Sequence, residues 1–79
     1  MKARIFVTLK PGVLDPQGQA VAGTLARLGF SEVLDVRIGK YVELSLEGED
    51  RQGVELRVLD MCKKLIANPV IEDYRVEII

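Results

Sequence analysis

Seventy-nine residues, 48% hydrophobic and 29% charged, describe one folded domain spanning 1–79 and exclude an intrinsically disordered chain. A formal charge of −1, with 11 Lys and Arg interspersed among 12 Asp and Glu, excludes broad electrostatic binding to nucleic acid. With no His and a single Cys, the chain lacks the ligands of a zinc site and the partner for an intrachain disulfide.

The first element is a strand over 3–9: Ala3, Ile5, Val7 and Leu9 alternate with Arg4, Phe6 and Thr8, and Phe6 is the apolar residue on the second face. Pro11-Gly12 breaks it, and Val13 and Leu14 are expected to tuck under the following helix. Asp15-Pro16 starts that helix, because Asp15 caps free N–H groups and Pro16 suits the first helical position. Ala20, Val21, Leu25 and Leu28 form its apolar stripe, and Gly29 ends it in the left-handed conformation.

Leu34, Val36 and Ile38 then alternate with Asp35 and Arg37, and Val42, Leu44 and Leu46 alternate with Glu43, Ser45 and Glu47. Read as a hairpin about Gly39-Lys40, these two runs conflict with a two-residue loop, which would place their apolar sets on opposite faces. A bulged connection with Gly39 in the left-handed region removes the conflict; burial of both faces, one of them by another subunit, also removes it. Asp50 starts a second helix with Val54, Val58, Met61, Cys62 and Leu65 at helical spacing, and Asn68-Pro69 stops it. Tyr74, Val76 and Ile78 alternate in the last strand. The order β-α-β-β-α-β predicts an α+β, ferredoxin-like antiparallel sheet with two helices on one face. A domain this small buries only about 60–65% of its unfolded surface, so oligomerisation through its sheets or a partner is expected.

Little in the chain carries chemistry. Without His there is no ordinary base near neutral pH, and Cys62 sits on an apolar helix stripe as a packing residue. Glu47/Glu49 and Glu72/Asp73 read as solvated charges at element ends. Gly39-Lys40 is no phosphate loop, since Leu34 stands where the first glycine should be and strands flank the pair. The aromatic motif with which RNA-binding domains of this order stack bases is also missing. No run approaches the roughly 20 apolar residues of a membrane span, and the expected location is cytoplasmic. Lys10, Gly12 and Gln17 form a polar rim beside a helix start, suited to a small anion or a partner's loop.

Pro11-Gly12-Val13-Leu14 after a strand resembles ACT-type regulatory domains, which bind amino acids at this turn; Asp15-Pro16 departs from that pattern by delaying the helix. A longer resemblance is to the PurS family, the small subunit of phosphoribosylformylglycinamidine synthase. It is carried by VTLKPGVLDPQGQAV (7–21), LGFSEVLDVRIGKYVEL (28–44) and LIANPVIEDYRVEI (65–78), in order and across almost the whole chain.

That resemblance implies a subunit of an ATP-dependent amidoligase with no catalytic residues of its own. It would bridge a glutaminase subunit and a large synthetase subunit, so that glutamine-derived ammonia converts formylglycinamide ribonucleotide to formylglycinamidine ribonucleotide. It further implies a dimer or tetramer of this chain, no cofactor bound by it, ATP and Mg on the large subunit, and no nucleic-acid or membrane partner. The candidate partner contacts are Lys10, Gly12, Asp15, Gln17 and Gly18 in the turn, with Arg37, Lys40 and Tyr41 at the hairpin end. The candidate dimer-interface residues are Phe6, Tyr74, Ile78 and Ile79.

Overall fold

The computed structural model covers residues 1–79. Its centre is β1 (Lys2–Leu9), whose alternation buries Ala3, Ile5 and Val7 on one face. Two strands flank it, both antiparallel: β2 (Lys40–Ser45) on one edge and β3 (Glu72–Ile78) on the other. The registers place Ile5 opposite Val42 and Val76, so the apolar residues of all three strands share a face. Helix α2 (Arg51–Met61) covers that face with Val54, Val58 and, just past its end, Cys62. The Asp50 carboxylate caps α2 by accepting from the Gln52 N–H at 3.2 Å.

Past Met61 the helix widens into a π-turn over Cys62–Ile66, closed by the Ala67 N–H donating to the Cys62 carbonyl at 2.9 Å. The extra residue shifts the helical register. Ala67 enters the core, and Leu65, expected on the apolar stripe, is 86% exposed.

Helix α1 (Pro16–Arg27) begins and ends where its signals stand. Gly29, at φ +99°, donates to the Ala26 carbonyl, and the Phe30 N–H donates to that of Leu25 at 3.0 Å, a Schellman end. Its apolar stripe does not pack as expected. Gly18 is the only buried residue of α1, and Val21 and Leu28 are exposed. Leu14 also faces solvent instead of tucking under the helix.

The largest departure lies between Val33 and Lys40. The chain does not reverse at Gly39-Lys40, and Gly39 does not take a positive φ. Residues 35–39 instead continue past the end of β1: the Arg37 side chain reaches the Leu9 and Lys10 carbonyls, and Gly39 abuts Val7 and Thr8. A Cβ on Gly39 would lie 2.2 Å from the Val7 carbonyl oxygen, so close backbone approach, not a turn, requires glycine here. The apparent parity conflict disappears, because residues 34, 36, 38, 42, 44 and 46 are all even and belong to one face of one extended run. The plan remains α+β with an antiparallel sheet and two helices, and 34–38 takes the sequence position of the second strand without pairing inside the chain.

The result is a body, the sheet with α2, and an arm of α1 with residues 28–39. The radius of gyration is 16.0 Å, against about 12 Å for a compact chain of this length. No helix is long and apolar enough to cross a membrane.

Candidate functional site

The residues from Lys10 to Gly18 form the joint between body and arm. Pro11 fixes φ and Gly12 takes φ +87°, which closes a type II turn as the Val13 N–H donates to the Lys10 carbonyl at 3.1 Å. Asp15 follows, 5% exposed, with both carboxylate oxygens engaged. Oδ1 accepts from the Gly18 N–H at 2.8 Å, capping α1, and Oδ2 accepts from the Ile38 N–H at 2.7 Å. One side chain therefore ties the helix start to the extended run 23 residues away. Gly18 makes this possible: a Cβ there would lie 2.2 Å from the Val36 carbonyl oxygen.

Arg37 completes the joint from the other side. Its guanidinium donates to the carbonyls of Val13 (3.1 Å), Lys10 (3.1 Å) and Leu9 (3.4 Å). The backbone N–H groups of Gly18 and Ile38 hold the Asp15 carboxyl below the usual carboxylate range, burial opposes them, and the nearby Arg37 charge adds to the lowering.

The expected partner contacts thus divide. Lys10 through its backbone, Asp15, Gly18 and Arg37 form the joint itself. Gly12, Gln17 and Lys40 line two open clefts beside it. One, of about 460 Å³, has Asp15, Gln17, Lys40 and Glu72 on its walls. The other, of about 540 Å³, has Gly12, Asp35, Arg37 and Asp73. Tyr41 lies apart, on the sheet face opposite the core, with its ring 5.1 Å from that of Phe6. Arg75 stacks on the same Phe6 ring at 4.3 Å, flanked by a Lys2–Glu43 ion pair and an Arg75–Glu77 ion pair.

Of the expected dimer-interface residues, Phe6 is half-buried in that stack and Ile79 is exposed at the sheet edge. Tyr74 packs against the core, and Ile78, 5% exposed, is part of it. A side chain occupied by its own core has little surface to offer, so Ile78 is a packing residue in this chain.

Two participants in the joint escape sequence reading, and a third is read for the wrong reason. Val36 and Ile38 act through their backbone, for which side-chain identity gives no signal. Gly39 was legible as an isolated glycine inside a strand pattern, a known mark of close backbone approach.

Chemically, the joint binds itself. Its charged groups are spent on backbone partners, no buried side-chain polar atom lacks a hydrogen bond, and no three His, Cys, Asp or Glu converge as a metal site. Burial raises the pKa of Cys62, which keeps it a thiol. What this geometry defines is a small α+β interaction domain with a braced projecting arm.

Residues 2–79 match the family model PurS, described as phosphoribosylformylglycinamidine (FGAM) synthase. The chain belongs to the PurS family. It is 53% identical over 77 residues to the PurS subunit of that synthase from Bacillus subtilis, covering 98% of this chain and 90% of the relative. Against the corresponding Methanocaldococcus jannaschii subunit, identity is 43% over 77 residues, covering 98% and 93%. A crystal structure of B. subtilis PurS superposes with a TM-score of 0.85 at 54% identity, covering 96% of this chain and 94% of that one. A chain of the Thermotoga maritima PurLQS structure gives 0.88 at 32% identity, covering 96% and 93%. The ACT-like Pro11–Leu14 is therefore a local likeness of four residues within a PurS chain.

Proposed function

We propose that this chain is the non-catalytic small subunit of phosphoribosylformylglycinamidine synthase in de novo purine synthesis. It bridges the glutaminase and ATP-dependent synthetase subunits so that glutamine-derived ammonia reaches formylglycinamide ribonucleotide. The observation that carries this reading is the family match over residues 2–79, supported by the fit to a subunit of the PurLQS complex. The subunit contributes by position: holding two active sites in register substitutes for collision between freely diffusing intermediates.

In this reading the chain works in the cytoplasm and self-associates as a dimer or tetramer. ATP and Mg are bound by the large subunit, not by this one. The turn residues Gly12 and Gln17 with Lys40, lining open clefts at the joint, are its contacts to the other two subunits, and Asp15 and Arg37 act by holding that surface in shape. Self-association is supported by the small core: 10 of 79 residues are buried, and none of the buried apolar ones lies in the arm.

The test is synthesis of formylglycinamidine ribonucleotide by the two larger subunits, with and without this chain. The reading expects the chain to restore the glutamine-dependent rate and leave the ammonia-dependent rate roughly unchanged. No effect on either rate, together with failure to co-elute with the two subunits, would sink it.

A further inference from the structure

The end of the body next to the joint carries surface that neither the core nor the joint uses. There the Lys10–Val13 turn and the Asn68–Glu72 turn are tied together, the Lys10 N–H donating to the Ile71 carbonyl at 2.8 Å. Asn68 stiffens the second turn. Its carbonyl accepts from the Ile71 N–H at 3.2 Å and the Glu72 N–H at 2.8 Å, and its Oδ1 accepts from the Val70 N–H at 3.1 Å. Its own N–H donates to the Glu72 carboxylate at 2.6 Å. Pro69 and Val70 stand at the tip, Val70 78% exposed. The π-turn leads into this turn and sends Leu65 out of the core beside Lys63 and Lys64. A wide helical turn that expels a leucine forgoes burial, and such turns recur at functional sites.

The charges are sorted along the body as well. β1 ends, and β2 and β3 begin, at the joint end, which gathers Lys10, Lys40, Lys63 and Lys64. Lys64 pairs with Asp60 at 3.0 Å, and the other three have no carboxylate partner. Asp15, Asp35 and Glu72 are spent on backbone N–H groups, which leaves Asp73 as the free acid beside the clefts. The opposite end, where β2 leads into α2, carries Glu47, Glu49, Asp50 and Glu55 against Arg51. A net charge of −1 conceals this polarity.

We propose that this end of the body docks into an apolar recess edged by carboxylates on one of the larger subunits, with Leu65 and Val70 as anchors and Lys10, Lys40 and Lys63 as the rim. Apolar anchors at the centre of an interface carry most of its binding energy, while rim charges set orientation and encounter rate. The stiff Asn68 turn presents Val70 already ordered, which lowers the entropic cost of docking. A second copy of this chain is a poor occupant. Its own joint end would bring lysines against lysines, and its acidic end would make a head-to-tail contact that does not close on itself. Gly12, Gln17 and Lys40 line the clefts alongside, so the surface assigned above to the larger subunits continues over the π-turn and the Asn68 turn.

This inference rests on the subunit reading, and the test separates the two. The chain is titrated into the two larger subunits, and the glutamine-dependent rate gives the concentration for half-maximal effect. Leu65→Asp and Val70→Asp each raise that concentration about tenfold or more, and a saturating excess restores the parent's maximal rate. Their circular dichroism spectra stay unchanged, because both side chains are largely exposed in their own fold. Leu65→Met keeps the parent value. Lys63→Glu raises the concentration several-fold at low salt, and its gap from the parent shrinks as ionic strength rises. Glu49→Lys, at the far end, changes nothing. If the parent saturates but both Asp variants match it, or the Lys63→Glu gap persists undiminished at high salt, docking at this end is overturned and the subunit reading stands. If the Asp variants instead alter the sedimentation of the chain alone, the patch belongs to self-association and the docking is again overturned. A parent chain without effect on the rate overturns both.

Discussion

Body and arm are held by different forces. In the body, Ala3, Ile5, Val7, Val54, Val58, Cys62, Ala67 and Ile78 form one apolar core between the sheet and α2. At the joint to the arm, the two buried residues are Asp15 and Gly18, a carboxylate and a side-chain-free backbone. The body is stabilised by removing area from water. The arm is aimed by a few directional hydrogen bonds and leaves Leu28, Phe30 and Leu34 exposed. An element can therefore be well positioned without being independently stable, which is what an assembly part requires.

The contrast breaks most visibly in the core. Ile5→Ala removes a fully buried side chain and should cost about 2–5 kcal/mol, a large share of the roughly 4–12 kcal/mol expected for a domain of this length. Urea denaturation should show a lower midpoint for the whole chain, with body and arm losing structure together.

Gly18→Ala should act on the arm first. Its Cβ would strike the Val36 carbonyl, and overpacking of this kind costs about 1–3 kcal/mol. Hydrogen exchange should quicken at the Gly18-position and Ile38 amides while the β1 and β3 amides keep their protection. Faster exchange spread evenly over β1 and β3 would erase the distinction between the two regions.

Asp15→Asn sharpens the comparison further, since an amide offers one acceptor where the carboxylate serves two N–H groups. Melting should fall by several degrees at neutral pH. The pH dependence has a definite sign. The folded-state pKa of Asp15 lies below its unfolded value, so the unfolded chain binds the proton more readily. The stabilisation is whole above the ordinary carboxylate range and is lost as pH falls through the folded pKa. Melting curves from pH 7 downward should converge for parent and variant in acid; a constant gap would remove the carboxylate from the account.

Arg37→Lys replaces a fork reaching three carbonyls with a point charge, and these exposed bonds should be worth about 1 kcal/mol or less together. Arg75→Ala on the open sheet face should be smallest, within about 0.5–1 kcal/mol, because exposed cation–π contacts and surface ion pairs contribute little.

Local signals in the sequence were reliable where one residue does one job. Asp15 and Asp50 cap, Gly29 terminates, and the alternation of β1 finds its core face. The failures of Leu65 and of the expected hairpin share a cause: information held by the backbone. Leu65 leaves the core because of one wide helical turn that its side-chain spacing does not encode. The 34–46 alternation was fully visible, but two strands in a row suggest a hairpin, and only the close approach of Gly39 to Val7 shows one continuous run. The stripe of α1 is apolar at helical spacing, yet Val21 and Leu28 on it are exposed. The family, by contrast, was legible because Lys10–Gly18, the hairpin-like run and Asn68-Pro69 keep their spacing across the chain.

The most direct measurement of the two-region account is hydrogen exchange of the isolated chain, read amide by amide. The account predicts that the Ile5 and Val7 amides of β1 exchange only through global unfolding, while the Gly18 and Ile38 amides, held by the Asp15 carboxylate, exchange through a smaller local opening. Equal protection of the two sets would contradict it.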